Sequence, residues 1–115
     1  MLSSSEFIKG YTKIIICSYL FKKPDYVYNI VKKIQADGEG YIKISNPSAL
    51  VVMKEMEKDK LVRSYIKVSE QNQARKYYEL TKEGEMFYLE EKKEYLRSLS
   101  LLKGMIGGVE HEIWL

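Results

Sequence analysis

The chain has a single cysteine, Cys17, and a single histidine, His111, among its 115 residues. One cysteine makes no internal disulfide and no CxxC redox pair, and one Cys with one His makes no zinc cluster. Neither a metal nor a cofactor is expected. Cys17 ends the apolar run Ile14-Ile15-Ile16-Cys17, the setting of a buried core thiol rather than of a redox sensor. A Cys–His nucleophile pair would have to join residues far apart in sequence. No Gly-rich phosphate loop follows a strand, and no two carboxylates form a recognisable catalytic motif. The chain is not expected to be an enzyme. Long hydrophobic runs are missing as well, and nothing approaches the roughly 20 apolar residues that span a bilayer. The opening Met1-Leu2-Ser3-Ser4-Ser5-Glu6 lacks the basic and apolar regions of a secretion signal. A cytoplasmic protein with no membrane partner is the expectation.

Apolar residues make up 45% of the chain, enough to bury a core rather than remain disordered. The length suits one compact unit, since domains commonly run about 100–150 residues. Lys and Arg number 19 against 16 Asp and Glu, for a formal charge of +3. The charge is uneven: residues 1–80 hold 14 basic and 9 acidic side chains, residues 81–115 hold 5 and 7. A mildly basic body thus precedes a slightly acidic tail. Tyrosine is abundant, at ten.

Periodicity outlines the elements. Residues 5–22 predict a helix capped by Ser5, with Phe7, Ile8, Tyr11, Ile14 and Ile15 recurring at helical steps. Pro24 ends it, and Asp25 is placed to cap a second helix with Val27, Ile30, Val31 and Ile34 on one face. Lys32 and Lys33 fall on the other, solvated face, and Asp37-Gly38-Glu39-Gly40 stops the helix. Asn46-Pro47 predicts the start of a third helix, with Asn46 as its cap and Leu50, Met53 and Met56 as an apolar stripe up to about Asp59. Two strand-like runs follow, 61–68 and 74–80, joined by the polar Ser69-Glu70-Gln71-Asn72-Gln73. Thr81 caps the last helix, of about 23 residues. Its apolar positions Tyr88, Tyr95, Leu99, Leu102 and Ile106 are interrupted at the seam only by Lys92. Gly104, Gly107 and Gly108 weaken it before a tail containing Trp114.

Three helices, a hairpin and a long helix describe a mainly α fold with a β-hairpin. The order is that of a winged helix-turn-helix over 1–80, followed by a dimerisation helix and tail over 81–115. In such a fold the third helix enters the DNA major groove and the hairpin tip meets the flanking backbone. Ser45, Asn46 and Ser48 supply short hydrogen-bonding groups at the start of that helix, and Lys43 precedes it. Gln71, Asn72, Gln73, Arg75 and Lys76 give the tip amides and cations. The bland alternative is that the first group only caps a helix and the second only closes a hairpin.

Three stretches resemble the PadR family of bacterial transcriptional regulators. They are Tyr28-Asn29-Ile30; Ser48-Ala49-Leu50 through Met53-Lys54-Glu55-Met56-Glu57 with Leu61-Val62; and Arg75-Lys76-Tyr77-Tyr78-Glu79-Leu80-Thr81-Lys82-Glu83-Gly84. The last is the most specific. The single C-terminal helix is similar to that of the family's compact subgroup. The resemblance implies a homodimeric repressor, a phosphate contact from Tyr28, dimerisation through the first and last helices, and release by a phenolic or hydrophobic effector. The chain departs from the family pattern at Leu50-Val51, where Tyr-Pro is usual, and at Glu55, where a basic residue is common. It departs again at Lys60 and Val27, both usually Gly.

Tyr11 and Tyr19 on the first helix, with Tyr88, Tyr95, Leu99 and Leu102 on the last, are the expected dimer surface and lining of any effector pocket. Aromatic residues at helical spacing also simply pack. The competing class is a protein-interaction module with weak or no DNA binding, in which the acidic Glu55, Glu57 and Asp59 belong to the docking surface.

Overall fold

The computed structural model describes residues 9–107. A short 3-10 turn, Lys9–Tyr11, leads into helix α1, Thr12–Lys22. Strand β1, Asp25–Tyr26, comes next, then α2, Val27–Asp37, and α3, Asn46–Lys58. Strands β2, Val62–Val68, and β3, Ala74–Leu80, form the hairpin, and α4 runs Lys82–Gly107. The proposed cap Ser5, the apolar Phe7 and Ile8, His111 and Trp114 lie outside the described residues.

Each of the three core helices contributes its stripe. Ile16, Cys17 and Leu20 of α1 meet Ile30 and Ile34 of α2 and Ala49, Met53 and Met56 of α3. Val62, Tyr78 and Tyr88 close the cluster from the hairpin and α4. Full burial of each large apolar side chain contributes about 1.5–3 kcal/mol, so this cluster carries the fold. Cys17 is the expected core thiol: its Sγ lies 3.5 Å from Sδ of Met56, and burial raises its pKa from 9.0 to about 11.

The sheet has three strands in the order β1-β3-β2, not two. Asp25 and Tyr26 pair with Tyr78 and Tyr77 of β3. That pairing corrects the role foreseen for Asp25. Held in an extended strand and buried, it does not cap α2, whose N-cap is Tyr26 with no side-chain cap bond. Its carboxylate instead accepts from Asn29 Nδ2 at 2.8 Å and from Lys33 Nζ at 2.9 Å. Lys33, itself about one-third exposed, is therefore the counter-ion of a buried carboxylate, because an unpaired buried charge is costly.

Helix α3 is capped one residue earlier than expected. Ser45 Oγ accepts from the backbone N–H of Ser48 at 3.2 Å, and Asn46 is the first helical residue. Either residue type is a good cap, and proline is tolerated in either register. The helix ends in a Schellman motif. Lys60 N–H donates to the Glu57 carbonyl at 3.1 Å and Leu61 N–H to that of Met56 at 2.8 Å. Lys60 takes φ 61° to do so.

Thr81 caps α4 as expected: its Oγ1 accepts from Gly84 N–H at 3.0 Å and donates to the Lys60 carbonyl at 2.7 Å. Gly84 is required by contact. A Cβ there would lie 1.9 Å from the Leu61 carbonyl oxygen. The helix has 26 residues rather than about 23 and runs through Gly104 to Gly107. Beyond Tyr95 it projects from the body with Leu96, Leu99, Leu102 and Ile106 exposed.

Candidate nucleic-acid interface

The third helix buries Ala49, Met53 and Met56 and turns Pro47, Ser48, Val51, Lys54, Glu55 and Lys58 outward. Its first turn brings together Ser45, Asn46 and Ser48 with Lys43 just before them, all exposed. Ser45 Oγ is also hydrogen-bonded to Ser48 Oγ at 2.9 Å while capping the helix, and both residues stay exposed. A helix N-terminus with these groups attracts a phosphate or reads a base edge. The four residues expected at this position are thus brought together.

The hairpin divides its cations between two faces. Residues paired across an antiparallel ladder share a face, so Tyr26, Tyr65, Tyr77, Lys67 and Arg75 lie on the outer side of the sheet. Tyr65 stacks on Tyr77 with ring centres 6.0 Å apart, and Tyr26 meets Tyr77 edge-on at 5.3 Å. Arg75 lies over Tyr26 at 5.3 Å and reaches Tyr28 at 6.0 Å. Its Nη2 donates to Gln73 Oε1. Tyr28 is half exposed at the start of α2, with Lys32 Nζ 5.6 Å from its ring centre. Tyr28, Gln73 and Arg75 therefore form one cluster.

Lys76 does not join them. It lies on the other face, 3.9 Å from Glu57 Oε1 and 5.5 Å from the centre of the Tyr78 ring. Glu57 also accepts from Ser64 Oγ at 2.6 Å, so this carboxylate is tied to the hairpin.

Two participants escaped the sequence reading. Tyr26, almost buried, supports Arg75, and its hydroxyl donates to Gln71 Oε1 at 3.4 Å. Lys67 lies 5.2 Å from the centre of the Tyr77 ring. Strand alternation was the available signal for Lys67 and for the separation of Arg75 from Lys76.

The α1–α4 surface contains an open groove of about 350 Å³ lined by Tyr11, Tyr88, Tyr95, Lys92, Leu96 and Leu99 among others. Tyr11 and Tyr95 rings are 5.1 Å apart, and Tyr95 Oη donates to the Gly10 carbonyl at 2.7 Å. Leu102 is exposed farther along α4. Tyr19 is not in this lining. Its hydroxyl is bonded to Asp37 at the end of α2, and burial together with that carboxylate raises its pKa to about 12. Among the described residues no three His, Cys, Asp or Glu side chains group to hold a metal ion. No described helix is long and apolar enough to cross a membrane.

Comparison with known proteins gives this architecture a family. A transcriptional regulator from Clostridium thermocellum is similar at 26% identity and TM-score 0.78, over 92% of this chain and 99% of that one. A PadR family transcription regulator from Clostridium difficile R20291 is similar at 31% identity and TM-score 0.72, over 84% and 99%. The fold also matches that of a PadR-like transcriptional regulator from Bacillus cereus, at 23% identity and TM-score 0.79, over 90% and 98%. No curated protein matches the sequence significantly. The profile of the Transcriptional regulator PadR-like family matches residues 16–90. The chain belongs to that family, and its winged helix is the fold of a DNA-binding transcriptional regulator.

Proposed function

We propose that the protein is a homodimeric repressor that binds a roughly palindromic operator and is released by a small hydrophobic or phenolic effector. The observation that carries this reading is the exposed first turn of α3, with Lys43, Ser45, Asn46 and Ser48, beside a hairpin that holds Arg75 against Tyr28. The start of α3 meets base edges and phosphates in the major groove, and Arg75, Gln73 and Tyr28 hold the flanking backbone. Lys76 braces the hairpin against α3 through Glu57.

The exposed Leu96, Leu99, Leu102 and Ile106 of α4 support dimerisation, since a helix with an unpaired apolar seam is stabilised by another helix. Two recognition helices then sit about one DNA turn apart. The groove at Tyr11, Tyr88 and Tyr95 has the apolar walls and few polar groups of a small-molecule site. Because it lies between α1 and α4, an effector that binds one dimer angle better than another shifts the population away from the DNA-competent form. Such a protein works in the cytoplasm, on the chromosome.

The test is a mobility shift with DNA from upstream of the protein's own gene. A retarded complex at low salt supports the reading. No complex at low salt overturns it in favour of an interaction module.

A further inference from the structure

The outward face of α3 is not uniformly polar. Its centre is Val51, 63% exposed and on the side of the helix opposite the buried Ala49, Met53 and Met56. Leu50 beside it is 37% exposed, and Pro47 lies one turn earlier on the same outward side. Around this apolar centre stand Ser48, Lys54, Glu55 and Lys58, all exposed.

We infer that Val51 is a specificity-determining residue that reads thymine, by packing against its C5-methyl group in the major groove. The inference rests on the DNA-binding reading above and deepens it by naming a feature of the operator. Valine has no donor or acceptor for a base edge, so hydrogen bonding cannot be its means of readout. The major groove presents one apolar group at a base edge, the thymine methyl. A β-branched side chain also meets that methyl with little freedom left to lose, because its rotamer is already restricted in a helix.

The surroundings select DNA as the occupant. Lys54 and Lys58 flank Val51 on the same face, Lys43 stands before the helix, and Ser48 lies one turn toward the N-terminus. Glu55 is the one carboxylate in this ring, so the charge around the small apolar spot is net positive and suits a polyanion with a methyl in its groove. The helix position agrees too: Val51 lies in the first two turns of α3, the part of a recognition helix that contacts base edges.

The experiment selects sites from a randomised double-stranded DNA library with the full-length protein, then replaces each thymine of the enriched site by uracil in turn. Uracil keeps the hydrogen-bonding edge and removes only the methyl. At one thymine per half-site, wild type should lose about fourfold in affinity, the worth of one buried methyl-sized group. Val51→Ala should bind the thymine and uracil sites alike. Val51→Thr, of similar size, keeps α3 intact and should also lose part of the preference, since a hydroxyl replaces one methyl. If wild type enriches a site but binds its uracil versions as tightly, the inference is overturned while the DNA-binding reading stands. If wild type retains no library DNA at low salt, both fall together.

Discussion

The guanidinium of Arg75 lies 5.3 Å from the centre of the Tyr26 ring, so a residue of the hairpin rests on a residue of the short strand before α2. The contact joins two elements that are far apart in sequence and aims the cation beside the exposed Tyr28. A partly desolvated cation–π contact is worth about 1–2 kcal/mol. Tyr26→Leu should therefore lower DNA affinity about fivefold or more, by freeing Arg75. Tyr26→Phe keeps the ring and should stay near wild type. Tyr26→Leu combined with Arg75→Ala should bind no more weakly than Arg75→Ala alone. Additive losses in an anisotropy titration would show that Tyr26 acts by another route.

Gly84 sits where α4 passes the backbone of Leu61, and an added Cβ would lie 1.9 Å from that carbonyl oxygen. The obstacle is backbone and cannot swing aside. Gly84→Ala should destabilise the protein by about 1–3 kcal/mol, the usual cost of overpacking. Urea denaturation followed by circular dichroism reads this as a lower midpoint. An unchanged midpoint would mean that the start of α4 shifts freely.

Lys60 takes φ 61° in the Schellman motif after α3. A left-handed residue other than glycine costs roughly 1–2 kcal/mol, and glycine gives back about 0.5–1 through the freedom of the unfolded chain. Lys60→Gly should therefore stabilise the fold by about 0.5–1 kcal/mol. The same denaturation experiment should move the midpoint upward, opposite in sign to Gly84→Ala.

Burial holds the Cys17 thiol at about 11 instead of 9.0, and Tyr19 is raised to about 12 by burial and its bond to Asp37. Both groups lose protons more readily in the unfolded chain. Their contribution to stability is full below about pH 9 and is lost as pH rises through the folded values. Stability should therefore decline between about pH 9 and 11 through Cys17 and on to about pH 12 through Tyr19, and Cys17→Ala should flatten the first part. Native protein at pH 8 should resist thiol alkylation until it unfolds. Rapid alkylation there would contradict the buried thiol.

How much of this was legible in the sequence differs by element. The start of α3 and the hairpin were readable because Pro47 marks the first and the polar run Ser69-Glu70-Gln71-Asn72-Gln73 marks the second. The one-residue shift of the α3 cap was not, because Ser45 and Asn46 are equally good caps and only the Ser48 N–H decides. Strand β1 has two residues, too few for any periodicity, and its pairing also decides the fate of Asp25. Adjacent Arg75 and Lys76 read as one basic site, yet a strand sends neighbours to opposite faces. Tyr19 fits the helical spacing of a pocket residue, and only the tertiary approach of Asp37 removes it from the groove.

In the proposed complex Arg75 presents charge to the DNA backbone, while Lys76 faces Glu57 of α3 and braces the hairpin. Anisotropy titrations of labelled DNA across a range of salt concentrations separate the two roles, with wild type, Arg75→Ala and Lys76→Ala. Each phosphate contact steepens the dependence of log affinity on log salt by about one unit. Arg75→Ala should weaken binding to every sequence and make the slope shallower by about one per half-site, while Lys76→Ala leaves the slope near that of wild type. An Arg75→Ala protein that keeps the wild-type slope but no longer distinguishes sequences would place Arg75 on the bases and not on the backbone.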